Sequence, residues 1–163
     1  MENKLYYKIT NRTENHHGFQ YNDGLNELEE KFNDNPEDHC CAGGLYFTDI
    51  EHIFEFLHFG VYVREITLPV VNPEFKMLAD KNKYRANMII LGNKYELANI
   101  ATIKMLIEHG ANIHADNDHI LMWAVYNGNL ELVKYLLDIG IDIHANNDEA
   151  LRLCGKTRIF RYG

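Results

Sequence analysis

Apolar positions along this chain follow two different periods. As far as about residue 92 they fall in short runs, several of them alternating, separated by polar and glycine-rich punctuation. Alternation marks half-buried strands and a three-to-four spacing marks helices, so this half reads as mostly strand. Residues 5–10 predict an opening strand, and the polar stretch 11–15 a turn. Residues 16–21 predict a second strand, and Asn22, Asp23 and Gly24 a hairpin or loop signal. The polar, acidic residues that follow predict an exposed loop. Gly43 and Gly44 lead into a brief strand ending at Thr48 and Asp49, either of which can cap a helix over 50–59. In that helix Ile50, Ile53, Phe54 and Leu57 share a face, and Gly60 ends it. Val61, Val63 and Ile66 predict a strand stopped by Pro69, and Pro73 with the charged stretch 80–83 predicts a surface connection. Met88, Ile89, Ile90 and Leu91 form an apolar run ending at Gly92, which predicts a buried strand.

From Glu96 the period becomes helical. Leu97, Ile100, Ile103, Leu106 and Ile107 make one stripe, with Gly110 as its left-handed terminator. The stretch 104–115 (KMLIEHGANIHA) is then echoed by 134–145 (KYLLDIGIDIHA). Gly110 and Gly140, His114 and His144, and Asp118 and Asp148 are each thirty residues apart. Between the echoes, Leu121, Met122, Ala124 and Val125 predict a helix that Asp118 can cap and that Asn127 and Gly128 break. Asn129 caps the next helix, which runs to Gly140. A fixed period of this size signals stacked supersecondary units. The recurrence of His114 and His144 at one structural position favours a repeated hydrogen-bonding role over a metal site.

Composition narrows the functions. The 163 residues are 46% hydrophobic and 25% charged, with 12% aromatics, the profile of a soluble globular chain. A net charge of -8 argues against sequence-independent nucleic-acid binding and against an anionic membrane surface. The three cysteines, Cys40, Cys41 and Cys154, are too few and too unevenly placed for a disulfide framework. His39 beside them leaves a zinc site short of ligands. No run has the length of a signal-peptide core or a membrane span, so the expectation is a soluble, intracellular protein without metal or cofactor.

Residues 124–145, with a small residue in the first helix, the Asn-Gly turn, a leucine-rich second helix and a glycine-ended hairpin, resemble an ankyrin repeat. The stretch lacks the Thr-Pro-Leu-His start and is about three residues shorter than the usual repeat. Residues 5–11, 17–21, 43–49, 64–69 and 89–92 resemble the leader domain of ankyrin-repeat proteins of giant DNA viruses of the mimivirus type. That resemblance implies an α+β fold, with a small mixed N-terminal domain over 1–92 followed by a short ankyrin-repeat helical stack over 93–154, one complete repeat and two partial ones. Residues 146–153 begin a third repeat in register, and 155–163 form a non-repeat tail. The implied role is protein–protein interaction, with an unidentified protein partner, in the cytoplasm of an infected host. The positions left free to vary on such a frame are Asp116, His119, Trp123, Tyr126, Asn146 and Glu149. Trp123 is either an interface anchor or a packing residue against the neighbouring unit.

A second resemblance points to another class of function. His17-Gly18, the stretch 44–49, a helix and then the strand over 63–68 are similar to segments of ADP-ribosyltransferases. That likeness implies His17 on the ribose of a nucleotide and Tyr46 as the tyrosine of a His-Tyr-Glu triad. The glutamate of a late strand has no match, because the chain has by then turned into repeats. The implied alternative is therefore a nucleotide-binding domain without intact catalysis, and the chain is not expected to be an enzyme.

Overall fold

The computed structural model describes residues 4–39 and 41–157. Its strands are β1 (Tyr6–Thr10), β2 (Asn15–His16), β3 (Phe19–Gln20), β4 (Gly24–Glu27), β5 (Leu45–Asp49), β6 (Tyr62–Thr67), β7 (Met77–Asp80), β8 (Lys83–Ala86) and β9 (Met88–Glu96). A 3-10 helix, Ile53–Phe59, separates β5 from β6. The helices α1 (Ile100–Glu108), α2 (Ala115–Tyr126), α3 (Leu130–Asp138) and α4 (Ala145–Thr157) complete the described residues. Seven strands form one sheet in the order β4-β9-β6-β1-β5-β8-β7, and β2 and β3 make a separate small hairpin. All the pairings are antiparallel.

The alternation in β1 explains its central place. Tyr7 and Ile9 point to one face, where Val63 of β6 and Ile53, Phe54 and Leu57 of the 3-10 helix meet them. The same cluster continues without a break into Leu97, Ile103 and Leu106, then through α2 and α3 to Ala150 of α4. The opposite face carries a smaller cluster that includes Leu45, Phe47, Ile66 and Ile89. Polar bonds tie the two halves further. The Tyr7 hydroxyl lies 3.0 Å from Nδ1 of His109, and the amide of Asn112 donates to the carbonyl of Glu51 at 3.2 Å.

Several elements depart from the sequence expectation, each for a local reason. The stretch expected as an exposed loop after Gly24 opens as β4, paired with β9. Its buried residue is Asn26, whose amide group donates to the carbonyls of Asn22 and Gly24 at 2.8 and 2.9 Å, while Leu25 faces out. A strand that buries asparagine and exposes leucine carries no alternation signal. The connection expected over 80–83 is instead the turn of the β7–β8 hairpin, with Lys81 in the left-handed region at φ 52° where a glycine would have marked it. The strand expected to stop at Gly92 runs on to Glu96, across the expected domain boundary, and its pairing with β6 shifts register between Arg64 and Ile66. The helix expected over 50–59 is the shorter 3-10 segment, without a side-chain cap. Gly60 after it is required by space, because a Cβ there would lie 2.0 Å from the Thr10 carbonyl oxygen.

Helix α2 also differs. Asp116, Asn117 and Asp118 take left-handed conformations, with φ of 50, 55 and 62°. Asp118 was expected to cap the helix, yet its carboxylate accepts from the His114 ring at 2.7 Å. His144 and Asp148 repeat that bond at 2.6 Å. Asparagine and aspartate tolerate left-handed geometry better than other residues with a side chain, so the DND triplet suits this turn, and Asn147 and Asp148 repeat it at φ 58 and 60°.

The shared core makes a testable demand. Phe54→Ala should cost about 3–5 kcal/mol. Urea melts followed by the fluorescence of the single tryptophan, which lies in α2, and by circular dichroism should shift together. Fluorescence unmoved by this substitution would show that the helices do not depend on the sheet.

Candidate functional site

Two regions gather the residues singled out by sequence. The first is the outer side of the helical segment. Ile120, Leu121, Ala124 and Val125 of α2 are all buried, since the 3-10 helix, α3 and α4 pack around that helix. What remains open is narrow. Asp116 is exposed, and Tyr126 is 75% exposed at the end of the helix. His119 is half-buried, its ring edge-on to His58 at 6.4 Å. Trp123 is half-buried and packs against the shared core, while its carbonyl accepts from the Asn127 side chain at 2.7 Å. Glu149 is half-buried on α4, and the side chain of Asn146 lies outside the described residues.

The second region is a cavity of about 410 Å³ in the sheet half, walled by β1, the β2–β3 hairpin, the Gly43–Gly44 approach to β5 and the 3-10 helix. His17 and Tyr46, the nearer of them seventy residues before Asp116 in the chain, both line it. His17 is exposed at φ 52° beside Gly18 at φ 87°, the tight turn of the hairpin. Tyr46 is committed to the backbone of Cys41. Its hydroxyl accepts from that amide at 3.0 Å and donates to that carbonyl at 2.9 Å. Burial first, and then the thiol of Cys41, raise its pKa against the pull of Arg85. The Arg85 guanidinium holds the same loop, donating to the carbonyls of Asn35 and Asp38 and to Cys41 Sγ.

Sequence reasoning missed Lys8 and His16. Lys8 is only 7% exposed, because β1 alternation points it away from Tyr7 and Ile9 into the cavity wall. Its Nζ donates to the Tyr46 carbonyl at 2.7 Å and sits 4.6 Å from the centre of the Tyr21 ring. Burial pushes the Lys8 amine down to about 7 and raises the Tyr21 phenol. His16 falls to about 4, through burial and then the neighbouring Lys8. The only available signal was a lysine inside an otherwise apolar strand pattern. Among the described residues, no group of three or more His, Cys, Asp or Glu side chains is placed to hold a metal ion. No helix among them is long and apolar enough to cross a membrane.

Helix pairs recurring at a thirty-residue period define a repeat protein. A family model described as ankyrin repeats, in three copies, matches residues 54–147, and the chain belongs to that family. The matched span reaches back over β6 to β9, where this chain folds as sheet. The chain is similar to R868 of Acanthamoeba polyphaga mimivirus, a protein named as an ankyrin repeat protein, with 51% identity over 133 residues covering 80% of this chain and 65% of that one. R869 of the same virus, which carries no functional name, is 51% identical over 132 residues, 80% of this chain and 96% of the relative. R896, also named as an ankyrin repeat protein, is 46% identical over 127 residues, covering 77% of this chain and 38% of its own length. The chain therefore spans just under two thirds of R868. Only 67 residues follow Glu96 (163 − 96), so the 133 matched to R868 include much of the sheet. No solved structure matches the chain.

The lowered Lys8 pKa fixes the sign of a stability effect. The unfolded chain holds this proton up to 10.5 and the folded chain to about 7, so stability rises with pH across that window. Lys8→Met removes the penalty. Its stability advantage over the parent, read from urea melts, should be largest at about pH 6 and narrow towards about pH 10. An advantage independent of pH would count against a buried, poorly solvated amine.

Proposed function

We propose that this protein is a protein–protein interaction module of the ankyrin-repeat type that acts without catalysis inside an infected host cell. Its complete repeat is α2 with α3, and α1 and α4 are the partial repeats on either side. Asp116, His119, Trp123, Tyr126, Asn146 and Glu149 form the contact surface. Tyr126 carries the reading: a large aromatic, 75% exposed, ends a helix whose other apolar side chains are packed. Exposed aromatics with few rotatable bonds are preferred interface anchors. Trp123 contributes from a half-buried position, as part wall and part contact. The origin of the relatives in a virus of Acanthamoeba supports a host-cell setting.

The cavity favours a second reading, because it is lined by both His17 and Tyr46. A nucleotide bound there would meet a histidine at the mouth and a tyrosine ring on the wall. Catalysis is disfavoured by the Tyr46 hydroxyl being taken up by Cys41. Among the described residues the lining carboxylate is Glu30, which precedes β5 in the chain and occupies no late strand.

Each reading has its own test. Affinity capture from amoeba lysate, followed by calorimetric titration with the recovered partner, should show Tyr126→Ala weakening binding by about tenfold or more at unchanged melting temperature. Undiminished affinity in an Asp116→Lys, Tyr126→Ala double variant would rule out this surface. For the cavity, NAD or ADP-ribose should raise the melting temperature of the parent but not of His17→Ala. No rise with either ligand would remove the nucleotide reading.

A further inference from the structure

We propose that the sheet-half cavity is a binding site for a small, flat aromatic compound bearing one anionic group, with Lys8 as the counter-charge for that anion. It concerns the same cavity as the second reading above but does not require a nucleotide.

The argument starts from a comparison of buried cations. Arg64 is 2% exposed, and it is neutralised: its guanidinium pairs with Asp23 and lies 3.6 Å from Glu14. Arg85 is equally buried and is held by two backbone carbonyls and the Cys41 sulfur. Lys8 has one carbonyl and the face of one ring. Among the described residues no carboxylate lies within ion-pair distance of it. A lysine is almost never this buried without a partner, since an unpaired ammonium in apolar surroundings is costly. One feature distinguishes Lys8 from the two arginines: it forms part of the wall of a cavity large enough for a ligand. An anion seated there would supply the missing charge and use the N–H groups that Tyr46 leaves free.

The walls specify the rest of the ligand. Phe19, Tyr21, Tyr46, Phe47, Phe56 and Phe59 surround the space, giving ring faces and edges on several sides. Besides the phenols of Tyr7, Tyr21 and Tyr46, the other ionisable groups on the walls are His16, His17, Glu30, Cys41 and Lys83. His16 is held neutral well above its lowered pKa of about 4, so it does not compete for the anion as a cation. Burial brings the amine down to about 7, so binding an anion near neutral pH restores its charge by taking up a proton.

Two fluorescent probes of similar shape make the test: anilinonaphthalene sulfonate, an aromatic anion, and phenylnaphthylamine, its uncharged counterpart. The intact protein should bind one anionic probe per chain, more tightly than the neutral one. That affinity should fall by about tenfold or more between about pH 6.5 and pH 9, as Lys8 loses its proton. In Lys8→Met, shown folded by circular dichroism, the two probes should bind alike and the pH dependence should vanish. Phe59→Ser at the cavity should weaken both. Equal affinity for the two probes in the parent, or anionic binding that is flat with pH, would overturn the proposal even if the methionine variant failed to fold. Displacement by adenosine monophosphate would then mark a phosphate-bearing ring, and displacement by indole acetate a carboxylate-bearing one. Charge-selective probe binding without a thermal shift by NAD or ADP-ribose would sink the nucleotide reading alone. A shift by those ligands without charge selectivity would sink this one alone.

Discussion

The packing of one short 3-10 helix decides how the rest of this molecule holds together. Ile53, Phe54 and Leu57 are wedged between the face of β1 and β6 and the helices that follow, in a single core that reaches Ala150. Helix pairs of this kind cannot bury their apolar faces alone, and an array gains stability only when neighbours or caps cover both ends. The described residues hold four helices, a short array. Here the sheet covers one end, and the Tyr7–His109 bond and the Asn112–Glu51 bond fix its orientation. The sheet is therefore part of the fold of the helical segment rather than an appendage to it.

The same arrangement divides the surface into two kinds of chemistry. On the helical side, packing consumes most of the apolar residues of α2 and leaves Tyr126 and Asp116 in the open. On the far side of β1, the alternation that sends Tyr7 and Ile9 into the shared core sends Lys8 into an aromatic cavity. The carboxylates of Glu14 and Asp23 go to Arg64, and loop carbonyls go to Arg85. Lys8 is left with one carbonyl and one ring face, and that asymmetry gives the cavity its character.

Much of this was legible where side chains alternate or repeat. The thirty-residue echo located α2 to α4, and Asn129 caps α3 as its position implied, accepting from the Leu132 amide at 3.1 Å. Polar residues that replace the usual signals hid the remainder. Asn26 substitutes for an apolar residue in β4, Lys81 for a turn glycine, and the His114–Asp118 and His144–Asp148 bonds for a conventional cap. Of the candidate site residues, His17 and Tyr46 were named from a resemblance and do share one cavity. Lys8 was invisible because its environment is made by residues distant in sequence, Tyr46 and Tyr21 among them. The spacing of Trp123 left open whether it packs or contacts a partner; its side chain is half-buried against the shared core.

Native-state hydrogen exchange tests the claim of one shared core most directly. If sheet and helices form a single cooperative unit, the slowest amides of β1 and β6 and those of α1 to α3 should exchange with the same opening free energy and the same denaturant dependence. Helical amides that open at much lower free energy while β1 and β6 stay protected would contradict it, and would make the helices an independent, weaker unit.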